Sequence, residues 1–469
     1  MSTEMFPGID SIGRLKNIAH TGRTATYVIA ASDSSATAQA QADTTITAGV
    51  NIATAVNAAI AALASYGGGK IHFCATPTQY TVSTPILYTD NIIFEGEGWN
   101  SSVLKLADGA NCNMFERTGE LTTENFFNQW RDLCLHGNDA NNTSGSGIFS
   151  GAYIHDVVVE NCFILNFKDY GIYMDRCWNI NITKNILEFC GTAAYLANTG
   201  QDLRIVNNKF LYNVQGIYNY GSDILIEGNW FYHLNTQERT YDINNSYGAN
   251  IRIIANDFFG EGASNYNSII LIENTSGPLI INSNNFNGRN KAAYAILNTC
   301  SAWTLPNIIT NNSFISFRVK PYLFDKAGYR SLDLIANNIG WIAPGEIRTH
   351  TFGILAADLD ENDITSIDNP FGQDVRLLSL DFASSVASYA GAIIAGLNSS
   401  VVDSTNLFSD LPCNTAAPAF YRSTIAYVGS QTLPKVWKSG SGNRYLNVSI
   451  KYSAATGLVC TLTATVMGN

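Results

Sequence analysis

Charge is scarce in this chain. Charged residues make up 14% of its 469 positions, against roughly 25% in an average soluble protein. Asn, Ser, Thr and Gly fill the difference, a composition that suits stacked turns and strands better than a helical bundle. The net charge is −11, with no basic stripe and no block of one sign, which argues against nucleic acid as a partner. Apolar runs are short. None reaches the roughly 18 to 20 residues that a membrane helix needs, and MSTEMFPGID lacks the basic-then-apolar layout of a signal peptide. Neither membrane insertion nor signal-peptide secretion is expected. The nine cysteines form no CxxC pair. Cys74, Cys134, Cys162, Cys177, Cys190 and Cys300 read as buried packing residues, so neither metal nor cofactor is expected. GGGKIHF lacks the GxxxxGK[ST] spacing of a phosphate loop.

What the chain has is a repeated phrase: apolar, x, apolar, x, x, Asn, x, apolar. Its copies are LCLHGNDA, VVVENCF, INITKNIL, LRIVNNKF, ILIEGNWF, IRIIANDF, LIINSNNF, NIITNNSF and LDLIANNI, centred on Asn138, Asn161, Asn185, Asn208, Asn229, Asn256, Asn284, Asn312 and Asn337. Successive asparagines are 23, 24, 23, 21, 27, 28, 28 and 25 residues apart, within the roughly 20 to 50 residue period of a solenoid. The alternating pair before each Asn predicts a short strand with one face buried. Asn then suits a sharp corner, since it tolerates left-handed backbone angles. The apolar residue two positions later turns back inside. Asn at one corner of every coil would stack into an amide ladder.

Before this shaft, residues 1–45 read as an extended arm or attachment segment with one strand, ATYVIAA. NIATAVNAAIAALASYGGG then places Ile52, Val56, Ala59, Ile60 and Leu63 on one helical face, with Asn51 as N-cap and Gly67 as stop. Such a helix would cover the open apolar end of the first coil. Capping helix and coils span 46–342, and a polar connector follows at 343–370. Residues 371–469 carry longer alternating strands, RLLSLDF, YLNVSIKY and LVCTLTATV, the last two joined by SAATG as a hairpin. They predict an antiparallel sandwich or jelly roll.

The order of capping helix, GGGKIHF, YTVSTPI, NIIFEGEGW and VLKL, followed by the Asn phrase, resembles the opening of the pectate-lyase-like, right-handed parallel β-helix family. That family includes phage tailspikes and other polysaccharide-degrading proteins. The resemblance covers roughly residues 40–342. It implies an all-β, three-strand parallel β-helix and a virion-associated tailspike-like protein. Such a protein binds and hydrolyses a cell-surface polysaccharide, assembles as a homotrimer, and attaches to a virion tail or baseplate through its N-terminal segment. A non-catalytic glycan-binding adhesin or structural fibre and a polysaccharide lyase are the alternatives. The double Asp and GHG of polygalacturonases are absent.

Candidate site residues come from a second alternating stretch about a dozen residues before each Asn: GIYMD, AAYLA, GIYNY, TYDIN, SIILIE and YAILN. With Ile172 and Met174 inward, Tyr173 and Asp175 are expected to face out. Carrying that register along the stack predicts an outward column of Tyr173, Tyr195, Tyr218 and Tyr220, then Asp242 and Glu273, with Trp178 nearby. Ring faces beside carboxylates suit a sugar groove. Coils lie roughly 4.8 Å apart. Asp242 (nucleophile or base) and Glu273 (acid) on neighbouring coils are therefore expected about 5 Å apart, the retaining distance. Asp175, Glu238 and Asp223 are the reserve acids. Arg239 is the basic residue that an eliminating enzyme of this family would use.

Overall fold

A computed structural model describes residues 26–117, 127–197, 200–233, 241–260, 266–273, 277–290, 292–299, 307–317, 322–324 and 334–339, and beyond these the strands of a C-terminal β region. The chain divides into two compact units, residues 1–308 with 316–333, and 309–315 with 334–469.

The first unit is a parallel β-helix of three sheets. One coil illustrates the plan. Tyr170–Asp175 lies in sheet 3, Cys177–Thr183 in sheet 1 and Ile186–Glu188 in sheet 2, before Thr192–Ala197 returns to sheet 3. Each strand pairs in parallel with its counterpart one coil away: Ile172 with Ala194, Ile180 with Leu203, Leu187 with Phe210. Sheet 3 runs from Ile86–Tyr88 to Tyr322–Phe324, and sheet 2 from Tyr80–Val82 to Asn285–Asn287.

The helix Ala53–Ala64 buries Ala53, Val56, Ala59, Ile60 and Leu63. Its Asn57 donates to Pro85 O and accepts from Leu87 N, so one amide satisfies the edge of the first sheet 3 strand, which would otherwise be open. Asn51 Oδ1 accepts from Ala53 N and Ser83 N. The segment expected as an arm is folded from residue 26 onward. Thr26–Ala31 pairs with Gly69–Phe73 on one side and Thr44–Ile46 on the other. Residues 1–25 lie outside the described residues.

The amide ladder is real but shifted at three places. Asn185, Asn208, Asn229, Asn256 and Asn284 are all at most 2% exposed. Each Nδ2 of the first four donates to the Oδ1 of the next at 3.0 Å. Asn312 and Asn338 repeat the bond within the second unit. Asn161 is not a rung; Cys162 N takes that place, donating to Asn185 Oδ1. Asn337 likewise yields to Asn338. Asn138 follows a sheet 2 strand, Cys134–His136, and so belongs to a different corner.

The left-handed angles also sit elsewhere. They fall on the residue before each rung: Asn161, Lys184, Asn207, Gly228, Ala255, Ser283, Asn311 and Asn337, with φ between 52° and 63°. Two jobs expected of one Asn are therefore divided between neighbours. From Asn185 to Asn312 the apolar residue two positions on does turn inward, whereas Phe163 after Asn161 is half-buried and Ile339 after Asn337 is exposed, because there the rung is the next residue. Phe210, Phe231, Phe258 and Phe286 stack at 4.7, 4.7 and 4.8 Å in the core. Cys74, Cys134, Cys162, Cys177 and Cys190 are free and buried; Cys300 lies outside the described residues. Among the described residues no helix is long and apolar enough to cross a membrane.

The C-terminal strands form two antiparallel sheets. One orders Ile347–Leu355, Val459–Gly468, Val375–Ser384 and Phe420–Thr424, and the other Ile364–Asp368, Tyr445–Ile450, Ala392–Asn398 and Phe408–Pro412. Tyr445–Ile450 and Val459–Gly468 thus belong to different sheets and are not the expected hairpin. Alternation shows one face buried but cannot say which neighbour a strand pairs with.

Candidate functional site

Sheet 3 carries the aromatic column. Its pairing registers align Phe149, Tyr173, Tyr195 and Tyr218 on successive coils. Flanking residues Ile172, Met174, Ala194, Leu196 and Ile217 are fully buried, which turns the aromatic residues outward. The rings stack nearly parallel. Centroids are 4.7 Å apart for Phe149–Tyr173, 5.2 Å for Tyr173–Tyr195 and 4.4 Å for Tyr195–Tyr218. Tyr170 packs across Tyr173 and Tyr195 at 5.0 and 5.1 Å.

This stacking alters the chemistry expected of the column. Ring faces that would receive a sugar are taken up by the neighbouring ring, leaving edges and phenol hydroxyls toward solvent. Desolvation within the cluster, then the neighbouring phenols, push the Tyr195 hydroxyl up to about 12. Tyr170 and Tyr173 are raised too, again mainly by desolvation. The hydroxyls therefore stay protonated and can both donate and accept hydrogen bonds.

Above Tyr218 the repeat breaks. The column continues as Asn244, then Leu271 and Leu297, all three buried. The next outward position holds Tyr220, Ser246 and Glu273 on successive coils, as the backbone bonds Ser246 N to Asn219 O and Glu273 N to Asn245 O require. Ser246 Oγ lies 2.9 Å from Glu273 Oε2 and 3.1 Å from Asn244 Oδ1. Tyr247 stacks on Tyr220 at 4.7 Å and is 48% exposed. Among the described residues Tyr220 is its one ring contact. A carboxylate, a hydroxyl, an amide and an exposed aromatic platform thus meet at the upper end of the tyrosine stack.

The sequence-predicted residues are distributed unevenly around this place. Tyr173, Tyr195 and Tyr218 share one column; Tyr220 lies two positions along the strand. Trp178 is on sheet 1, around the corner, stacked on Tyr153 at 5.4 Å. Asp175, expected to face out, is instead buried at 7% exposure, at the end of its strand where the chain turns into sheet 1, and lies 3.5 Å from Arg176 Nε, whose guanidinium sits over the Tyr153 ring. Asp223 has left-handed φ and accepts from Asn250 on the outside of sheet 1. Glu238 and Arg239 lie outside the described residues.

Asp242 is 6% exposed and precedes Ile243, which pairs with Ile217. It therefore aligns with Gly216, not with a tyrosine. Glu273 aligns with Ser246, four positions further along. Their backbones are about 13 Å apart along the strand and one coil, about 4.8 Å, along the shaft. The expected 5 Å carboxylate pair is not what the register makes. It had assumed that Asp242 continues the tyrosine column.

Phe149, Tyr153, Tyr170, Arg176, Ser246 and Tyr247 were not singled out from the sequence. Phe149 had a signal: Gly147-Ile148-Phe149 matches Gly171-Ile172-Tyr173 and Gly216-Ile217-Tyr218. The glycine is required because a Cβ there would lie 2.5, 2.7 and 2.4 Å from the backbone oxygen of the next coil.

Residues 125–231 match a family described as "Right handed beta helix region". Comparison with curated protein sequences finds no match. Among solved structures the chain is similar to a double mutant of the tailspike protein of Escherichia coli bacteriophage HK620 in complex with a pentasaccharide. Identity is 10%, TM-score 0.43, with 90% of each chain covered. It is also similar to tailspike protein 2 of Escherichia coli O157:H7 bacteriophage CAB120, at 10% identity and TM-score 0.46 over 88% of this chain and 69% of that one. The A-module of mannuronan C-5 epimerase AlgE6 of Azotobacter vinelandii is a third, at 16% identity and TM-score 0.36 over 62% and 95%. At these values the similarity assigns no activity to this chain.

Proposed function

We propose that this chain, a right-handed parallel β-helix, is a virion-associated protein that binds a cell-surface polysaccharide along the outer face of sheet 3. The observation that carries the reading is the outward column of Phe149, Tyr173, Tyr195 and Tyr218. It ends beside Tyr247, Asn244, Ser246 and Glu273. A row of protonated phenols at coil spacing matches a hydroxyl-rich chain lying along the shaft. The exposed Tyr247 ring offers the apolar surface that a sugar C–H face requires.

Hydrolysis is the finer part of the proposal, with Glu273 as the acid. A glycosidase needs a second carboxyl about 5 to 10 Å away; by register the backbone of Asp242 lies about 14 Å from that of Glu273 and Asp175 lies four coils away. Binding is thus better supported than cleavage. Trimeric assembly and attachment to a tail belong to the same reading and rest on the sequence resemblance.

The test is a panel of capsular and lipopolysaccharides offered to the purified protein, with products analysed by mass and by ultraviolet absorbance. One polysaccharide should bind, and Tyr247→Ala should weaken it by about tenfold, or about 1.4 kcal/mol. Water-added fragments lost in Glu273→Gln would establish hydrolysis. Unsaturated fragments would establish elimination instead. A protein that bound no glycan, or bound one equally well with Tyr247 and Tyr195 both replaced, would sink the reading.

A further inference from the structure

A second cluster of reactive side chains lies far from the tyrosine column, on the outside of sheet 1 in the first coils. Strand Gly69–Phe73 buries Ile71 and Phe73 and turns His72 outward. Cys74 follows directly. Strand Ile92–Gly96 pairs beside it with His72 against Glu95 and Phe73 against Gly96, so Glu97 falls next to Cys74. His72 Nε2 is 3.3 Å from Glu97 Oε1, and its Nδ1 is 3.8 Å from Glu95 Oε1. Glu97 Oε2 accepts from Ala75 N, which aims the carboxylate. One nitrogen of His72, the Sγ of Cys74 and one oxygen of Glu97 all lie within 4.8 Å of one another.

A hydrogen bond between His72 and Glu97 engages two of these groups, and the third is a buried thiol beside them. Imidazole, thiolate and carboxylate together suit a borderline-soft divalent ion, whereas calcium and magnesium want oxygen alone. Bonds of about 2.0 to 2.3 Å at tetrahedral angles put ligand atoms about 3.3 to 3.7 Å apart. His72 and Glu97 already stand at that separation, and a shift of about 1 Å would bring in the thiol. Glu97 also lines a cavity of about 310 Å³ with Ala75, Asn100 and Ser101.

We propose that His72, Cys74 and Glu97 form a zinc-class divalent metal site that staples the first coils of the shaft together. Two successive β strands contribute its ligands, so a bound ion would hold their outer faces against each other where the solenoid begins.

Tag-free protein stripped with chelator and titrated with zinc chloride should bind one ion per chain and melt at a higher temperature. Cobalt chloride should give a thiolate-to-cobalt charge-transfer band. Cys74→Ser should abolish that band. Glu97→Gln keeps an acceptor for Ala75 N and should weaken zinc by about tenfold or more. Cys112→Ser should bind as the parent does. The band requires no variant to fold, and its absence from the parent protein would overturn the assignment. Zinc binding that is non-saturable, or equal in parent and Cys74→Ser, would overturn it too.

Discussion

Tyr195 and Tyr218 lie face to face across adjacent coils, their ring centroids 4.4 Å apart and their planes within 2° of parallel. Each such contact is worth about 0.5–1.5 kcal/mol beyond the area it buries, and Tyr195 makes two stacked ones, the second with Tyr173, beside the edge contact with Tyr170. Tyr195→Ala should therefore destabilise the shaft by about 1–3 kcal/mol, measured as a lower urea midpoint. Tyr195→Phe keeps the stack and removes only the hydroxyl, so stability should change by less than about 0.5 kcal/mol. If glycan meets the ring edges as proposed, Tyr195→Phe nonetheless loses affinity. Unchanged affinity would mean the hydroxyl row is not the contact.

The rung at Asn208 can be separated from the corner before it. Asn208 Nδ2 donates to Ile182 O and to Asn229 Oδ1, while its Oδ1 accepts from Asn185 N and Nδ2. Asn208→Ala leaves several buried groups without partners, at a cost of about 1–3 kcal/mol each. Ala255 holds φ 54° where the equivalent coil has Gly228 at 63°. A left-handed alanine costs about 1–2 kcal/mol, partly offset by the flexibility glycine adds to the unfolded chain. Ala255→Gly should thus stabilise by up to about 1 kcal/mol. Opposite signs from adjacent columns, read by thermal melts, test the division of labour between corner and rung.

The solenoid is legible in the sequence because its period persists through every change of coil length and an inward apolar residue, Leu187, Phe210, Phe231, Phe258, Phe286 or Phe314, recurs two positions after the rung. The rung was harder to place. Asn207-Asn208, Asn311-Asn312 and Asn337-Asn338 are pairs in which one Asn takes the left-handed angle and the next takes the ladder. Composition cannot say which does which. In the site, Tyr173, Tyr195 and Tyr218 followed from strict alternation within strands of similar pattern. Asp242 did not, because Gly216-Ile217-Tyr218 is replaced one coil later by Asp242-Ile243-Asn244, and the match of Asp to Gly shows only when Ile243 is set against Ile217. Contacts made around a corner, such as Trp178 on Tyr153, leave no periodic trace at all.

Gly216 fixes where Asp242 sits. A Cβ on Gly216 would lie 2.4 Å from Asp242 O, a backbone atom that also accepts from Ile217 N. Gly216→Ala should cost about 1–3 kcal/mol through overpacking and push the Asp242 coil away. Reduced hydrogen-exchange protection at Ile217 would report that displacement directly. At Ala193, the same position two coils from Asp242, a Cβ is already accommodated. Ala193→Gly should cost no more than about 1 kcal/mol. Equal losses at the two sites would show that the close approach is not what selects glycine.

Alkaline pH should weaken the shaft through the same tyrosines that mark its outer face. Burial within the cluster pushes Tyr195 up to about 12 and raises Tyr170 and Tyr173, whereas an unfolded tyrosine ionises near pH 10. Between about pH 10 and about pH 12 the folded chain therefore holds protons that the unfolded chain has released. The column's contribution to stability is fully present below about pH 10 and falls as pH rises through that window, on top of the loss from the buried thiols of Cys134, Cys162, Cys177 and Cys190 and from Tyr80 and Tyr88, which burial raises as well. Phenolate absorbance should show late-ionising tyrosines, and urea midpoints should decline over the same range. Tyr195→Phe removes the most strongly raised group of the column and should lessen the decline between about pH 10 and about pH 12 without moving the neutral-pH midpoint appreciably. A decline of equal slope in the parent and in Tyr195→Phe would show that the column's phenols ionise freely, and that the column is more open to water than its ring stacking implies.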